Sequence, residues 1–133
     1  AGLDICKEKS LSNQKVVTKT HKQLVGDARE LEAKNYLLKQ GLNLVDTNFR
    51  CKVGEIDLIF YCSNTNTYIF VEVRFRASNQ FGGAAASVTY QKQQKIKKAA
   101  IFYLQKRKLT PNIRFDVIAF ENNQLNWIES AFS

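Results

Sequence analysis

A chain of 133 residues with 44% hydrophobic and 11% aromatic content can build one domain around its own core without staples. Three cysteines (Cys6, Cys51, Cys62) with no CxxC pair exclude a disulfide framework and a thiolate zinc site and fit a reducing cytoplasm, while a single histidine, His21, excludes a multi-histidine metal centre. The net charge of +8, from 20 Lys and Arg against 12 Asp and Glu, favours polyanionic partners, and the apolar runs are too short to span a bilayer.

In chain order, residues 1–22 read as a basic N-terminal arm of low order (Lys7, Lys9, Lys15, Lys19, Lys22) with no signal-peptide core, and residues 23–133 read as a single domain. His21, in this lysine-flanked polar stretch, is expected to be solvated, which leaves a Ser-His-Asp triad without its base. Leu24 to Gln40 has helical periodicity, and Gly41 stops it. Ala28, Leu31 and Leu38 form the expected apolar line, with Ala33, Tyr36 and Leu37 extending it. Glu30 borders that stripe, so its carboxylate needs a partner: an arginine in a structural pair, or a metal.

Leu42 to Phe49 is expected as a first strand, leading through Arg50–Val53 into a hairpin. There the run Gly54-Glu55-Ile56-Asp57-Leu58-Ile59 is followed by Phe70-Val71-Glu72-Val73-Arg74-Phe75-Arg76, and both segments alternate with the period of a strand. Glu55, Asp57, Ile59 and Tyr61 share one expected face, Ile56, Leu58 and Phe60 the other. A turn centred on Asn64-Thr65 pairs residues whose numbers sum to 129, which sets Asp57 opposite Glu72 and Glu55 opposite Arg74, about 5 Å apart at Cβ. Opposed like charges are unfavourable, so something must offset them. A hydrated Mg²⁺ or Mn²⁺ held by the carboxylates together with a phosphate is one answer. A solvated face neutralised by Arg74 and Arg76 is the other.

Ser78 to Ser87, containing Phe81-Gly82-Gly83, reads as a small-residue loop that permits close backbone approach or is a plain connection. Thr89 caps an expected second helix reaching Lys106. Its apolar face is Ile96, Ala99, Ala100, Phe102, Tyr103 and Leu104. Its basic residues, Lys92 and Lys95 among them, either face solvent or hold a phosphate backbone. After Pro111, strands are expected over Ile113–Phe120 and Gln124–Ile128 across the turn at Glu121–Asn123.

Taken together, these residues resemble the YraN-like family of small bacterial proteins over roughly residues 26 to 132. The match runs through Gly26 with Glu30, Ala33, Tyr36 and Leu37; Asn48 and Arg50; Gly54–Ile59; Phe70–Val73 with Arg76; and then Phe81-Gly82, Val88, Lys92, Ala99-Ala100, Tyr103-Leu104, Arg114-Phe115-Asp116 and Ile128–Phe132. That family is similar to the PD-(D/E)xK nucleases, closest in style to archaeal Holliday-junction resolvases. The resemblance implies an α/β, restriction-endonuclease-like fold, a mixed sheet of about five strands flanked by helices. It also implies a Mg²⁺ or Mn²⁺ site of Glu30, Asp57 and Glu72, with Arg74 where the motif carries lysine. Other departures are Arg29 for a helix glycine and Ala84 and Ala86 for a proline and a glutamate.

The expected function is nucleic-acid binding, with metal-dependent endonuclease chemistry on structured DNA. In that chemistry Asp57, Glu72 and Arg74 are catalytic, Glu55 supports Arg74, and Arg76, Lys92 and Lys95 hold the backbone. A catalytically degenerate DNA-binding protein and a protein-interaction module are the alternatives. No base-reading motif is visible. Resolvase-like relatives act as dimers, so a homodimer is expected by analogy, but no segment identifies an interface.

Overall fold

The structure, a computed structural model, describes residues 20–76, without the side chain of Arg76, and 88–133. The expected arm up to residue 19, the loop around Phe81-Gly82-Gly83 and the positions Ala84 and Ala86 lie outside the described residues.

Helix α1 spans His21–Lys39 and β1, β2 and β3 span Asn43–Cys51, Gly54–Cys62 and Thr67–Arg76. Helix α2 spans Tyr90–Lys106, and β4 and β5 span Asn112–Glu121 and Gln124–Phe132. The strands form one sheet in the order β1-β2-β3-β4-β5. Pairing is antiparallel from β1 to β3, parallel from β3 to β4, and antiparallel again from β4 to β5. Strands β2 and β5 therefore run against the other three. This is a mixed five-stranded α/β architecture of the restriction-endonuclease-like kind, with α2 as the crossover that a parallel pair needs.

Each helix covers one face. Ile96, Ala99, Ala100, Tyr103 and Leu104 of α2 pack on Ile59, Phe70, Phe115 and Val117. Ala33 and Leu37 of α1 pack on Leu58, Phe60, Ile69, Val71, Ile118 and Phe120. Phe102, expected inside, is 41% exposed, with the Lys106 ammonium 5.5 Å from its ring centroid.

Helix α1 begins before the expected Leu24 because Thr20 and Gln23 form a reciprocal capping box, so His21 and Lys22 belong to the helix and not to an arm. The expected apolar line is displaced: Leu31 and Leu38 are 53% and 42% exposed, and Ala28 faces solvent. The sheet-facing stripe runs instead through Arg29, Ala33, Tyr36 and Leu37. Arg29 can stand in for an apolar residue because its flat guanidinium lies 5.0 Å from the Phe75 ring centroid and 5.2 Å from that of Phe120.

Two local devices shape the meander. Gly54 starts β2 against the middle of α2, and a Cβ there would meet the Lys95 carbonyl oxygen at 2.8 Å. Asn48, in the left-handed region at φ 52°, breaks the alternation of β1 and of the strand beside it. The β1–β2 register steps from Thr47↔Leu58 to Phe49↔Ile56, without a pair at Asn48 and Asp57. Ile56 consequently shares the α2 side with Ile59, where strict alternation would have put it with Leu58. On the far edge, β5 runs past its expected end at Ile128 to Phe132, whose ring stacks on Phe115 with centroids 5.2 Å apart.

Candidate functional site

The ladder between β2 and β3 follows the expected sum of 129 from Cys62↔Thr67 to Leu58↔Val71 and ends there. Beyond it, the Asp57 side chain replaces the backbone acceptor: its Oδ2 accepts the Val73 N–H at 2.8 Å. Asp57 thus stands where both neighbouring ladders are interrupted. Its carboxyl is hydrogen-bonded to that of Glu72, a contact that requires one proton between them. Glu72 is 4% exposed. Burial first, and the charge of Asp57 second, push its pKa up to about 7, against the opposite pull of Lys92 and Arg74. Burial also raises Asp57, and the Val73 N–H opposes that rise by favouring the charged form.

Two cations reach the same oxygen, Glu72 Oε2. Lys92, from the first turn of α2, brings Nζ to 3.1 Å. Arg74 brings Nη1 to 3.4 Å. Asp57 at the strand defect, Glu72 and Arg74 of β3 and Lys92 of α2 are thereby brought together. Arg74 and Lys92 also line two different grooves. One, of about 520 Å³, lies between the β1–β2 turn and α2 and is basic, with Arg50, Lys52, Lys92 and Lys95 in its wall. The other, of about 490 Å³, lies between the first turns of α1 and the end of β3 and includes Val25, Gly26, Val73, Arg74 and Phe75.

Residues 29–120 match the model of the uncharacterised protein family UPF0102. The chain belongs to this family. Members similar to it include a UPF0102 protein of Herminiimonas arsenicoxydans, 50% identical over 113 residues that cover 85% of this chain and 90% of the relative. A UPF0102 protein of Shewanella frigidimarina is 47% identical over 107 residues, covering 80% of this chain and 97% of the relative. One from Serratia proteamaculans is 46% identical over 112 residues, covering 82% and 94%. The YraN-like resemblance and UPF0102 are one family, and the names of these relatives state no activity.

Not every expected site residue converges in this UPF0102 fold. Glu55 does not meet Arg74; it stays with its β1 partner Arg50, at 3.9 Å, because the β2–β3 ladder has already ended. Glu30 is half-buried and hydrogen-bonded to Asn48. Its pKa is raised by burial and then by the charge of Asp57. Its expected arginine partner is not the neighbouring Arg29, which pairs with Glu32 at 3.0 Å. Among the described residues, no three His, Cys, Asp or Glu side chains gather as a metal-binding group, and Glu30 lies near enough to Asp57 for the charge of one to raise the pKa of the other. Lys95 is exposed on the basic groove. Arg76 pairs with Glu121 through the backbone, and its side chain lies outside the described residues.

Sequence reasoning gave Asn48, Gly54 and Asp116 no role. Asp116 is fully buried in the β4–β5 bulge, where it accepts hydrogen bonds from Arg114 Nε (3.0 Å), Arg114 Nη2 (2.8 Å), Trp127 Nε1 (2.8 Å) and Ser130 N (2.9 Å). A carboxylate with all these donors is a structural lock for the edge of the sheet. Its only sequence signal was an acidic residue in the interior of a strand, two places from Arg114.

No helix among the described residues is long and apolar enough to cross a membrane.

Proposed function

We propose that this UPF0102 protein binds nucleic acid and hydrolyses phosphodiester bonds of structured DNA at the Asp57–Glu72 pair. The observation that carries the reading is the contact between the half-buried Asp57 carboxyl and the buried Glu72 carboxyl, the latter with its pKa pushed up to about 7 and two cations on its Oε2. Buried carboxyls held in that state are costly, and they cluster where chemistry uses them. The donor set fits a hydrated Mg²⁺ or Mn²⁺ in place of the proton: such ions take one or two carboxylates and complete their shell with water and substrate phosphate. Asp57 and Glu72 would hold the ion, which when bound polarises the phosphate and lowers the pKa of a coordinated water.

The chain's own residues have separate tasks. The Val73 N–H orients Asp57 and favours its charged form. Lys92 supplies, from α2, the ammonium that position 74 lacks, at 3.1 Å from Glu72. Arg74 has too high a pKa to act as a base, but its fork can stabilise charge developing on a phosphate oxygen. Arg50, Lys52 and Lys95 of the basic groove would track the neighbouring phosphates.

The test is cleavage of labelled branched DNA with Mg²⁺ or Mn²⁺. Asp57→Asn should abolish cleavage and leave salt-sensitive binding intact; cleavage at the wild-type rate in that variant rejects the assignment. Arg74 itself favours a second reading, a degenerate nuclease that binds without cutting. Cleavage gained only in Arg74→Lys would decide for it. A protein-interaction module, the third expectation, requires that no DNA affinity depend on salt at all.

A further inference from the structure

Gly26 has no packing reason to be glycine. It lies in the interior of α1, where glycine is the least favourable residue but proline, and a Cβ built on it would meet nothing within 4 Å. The space it leaves open is the groove beside Arg74, walled by Val25, Val73 and the exposed ring of Phe75. The Arg29 guanidinium sits 5.0 Å from that ring. Val25, Val73 and Phe75 give this groove an apolar, aromatic wall, with His21, Lys22 and Arg74 at its edges, whereas the groove at Lys92 is walled mainly by cations; both are a single side chain away from Glu72 Oε2. A strand whose phosphates follow Arg50, Lys52, Lys92 and Lys95 would bring its bases within reach of the second groove. Only a base released from its stack could enter, because the bases of an intact duplex are enclosed between their neighbours.

We propose that the groove formed by Val25, Gly26, Val73, Arg74 and Phe75 binds an unstacked nucleobase, so that the substrate is a nucleic-acid strand with an unpaired nucleotide next to the carboxylate pair. This rests on the nucleic-acid reading above and adds its substrate class. Phe75 provides the stacking face, Arg74 a planar cation beside it, and Gly26 the room. Charge complementarity names the occupant: a chain of net charge +8 with a four-cation groove alongside suits a polyanion whose monomers carry flat apolar rings.

The experiment is equilibrium binding by fluorescence anisotropy, with three probes compared at matched salt and the set repeated at a low and a raised salt concentration. These are a single-stranded DNA oligonucleotide, an abasic oligonucleotide of equal length and charge, and a duplex. Wild type should prefer the base-bearing strand over the abasic one by about 5- to 150-fold, the range that loss of one base stack produces. Gly26→Leu fills the groove at a position that tolerates a Cβ, and Phe75→Leu keeps an apolar side chain but removes the aromatic face. Both should erase the preference while binding the abasic strand as wild type does. Gly26→Leu should also melt no lower than wild type, which excludes misfolding as the cause. Equal wild-type affinity for the base-bearing and abasic strands overturns the proposal, as does a preference that survives Gly26→Leu. Either result leaves the nucleic-acid reading standing. Failure of all three probes to bind in a salt-sensitive way overturns that reading, and this proposal with it.

Discussion

At Glu72 a proton and a divalent cation would compete for one buried carboxylate, and the competition can be read from stability alone. The folded pKa of about 7 lies above the ordinary 4.5, so the folded state holds the proton more tightly than the unfolded chain. The proton-linked stabilisation is then complete below about pH 4.5 and lost as pH rises through about 7. Urea unfolding should show stability falling by on the order of 1–3 kcal/mol between about pH 5 and pH 8. Glu72→Gln, which keeps the shape without the charge, should flatten that slope. A slope unchanged by Glu72→Gln would move the buried proton to another group. Sequence alternation was enough to bring Asp57 and Glu72 together, because the register of a hairpin follows from its turn. It could not show Lys92 at the same oxygen, since that contact depends on how a helix more than a dozen residues further along packs on the sheet. Nor could it show Glu55 leaving Arg74 for Arg50, a choice made where the ladder ends.

The elements were legible as elements, and their faces less so. Both helices and all the strands are visible in the periodicity, yet the buried stripe of α1 was misplaced. Arg29 covers two aromatic rings there and reads in the sequence as a polar residue. The displaced stripe makes a sharp contrast between neighbours. Leu37→Ala should cost about 2–5 kcal/mol by opening a cavity, while Leu38→Ala should stay within about 0.5 kcal/mol. Thermal or urea unfolding of the pair decides it, and similar losses from both would restore the sequence-based face. Gly54 belongs to the same scale. In the sequence it opens the alternating acidic run Gly54–Ile59, but its structural duty is to let the β1–β2 turn approach the Lys95 carbonyl. Gly54→Ala should destabilise by about 1–3 kcal/mol through overpacking and tilt the helix that carries Lys92. Its loss of stability should therefore come with a shift in the pH dependence traced to Glu72. Destabilisation without any such shift would show that the turn and the carboxylate pair are independent.

For the whole molecule, the mixed sheet was accessible from the sequence through family resemblance more than through periodicity. A period of two identifies strands but not which of them lie side by side. The parallel seam between β3 and β4 is the arrangement that no local pattern encodes. It is also where the chain order of the sheet has a kinetic consequence. The β1–β2–β3 meander and the β4–β5 hairpin can each close locally, whereas Thr67 meets Asn112 only after the whole crossover has been laid down. Lys92 travels with that crossover. If the seam closes last, the meander must reach its transition state with Asp57 and Glu72 facing each other and no ammonium between them. Protonation would then relieve the transition state as much as the native state. Stopped-flow refolding should accelerate as pH is lowered from about 8 towards 5, while unfolding changes little. The opposite division, with the whole pH effect in the unfolding limb, would mean that α2 docks after the barrier has been crossed without the acid pair having formed.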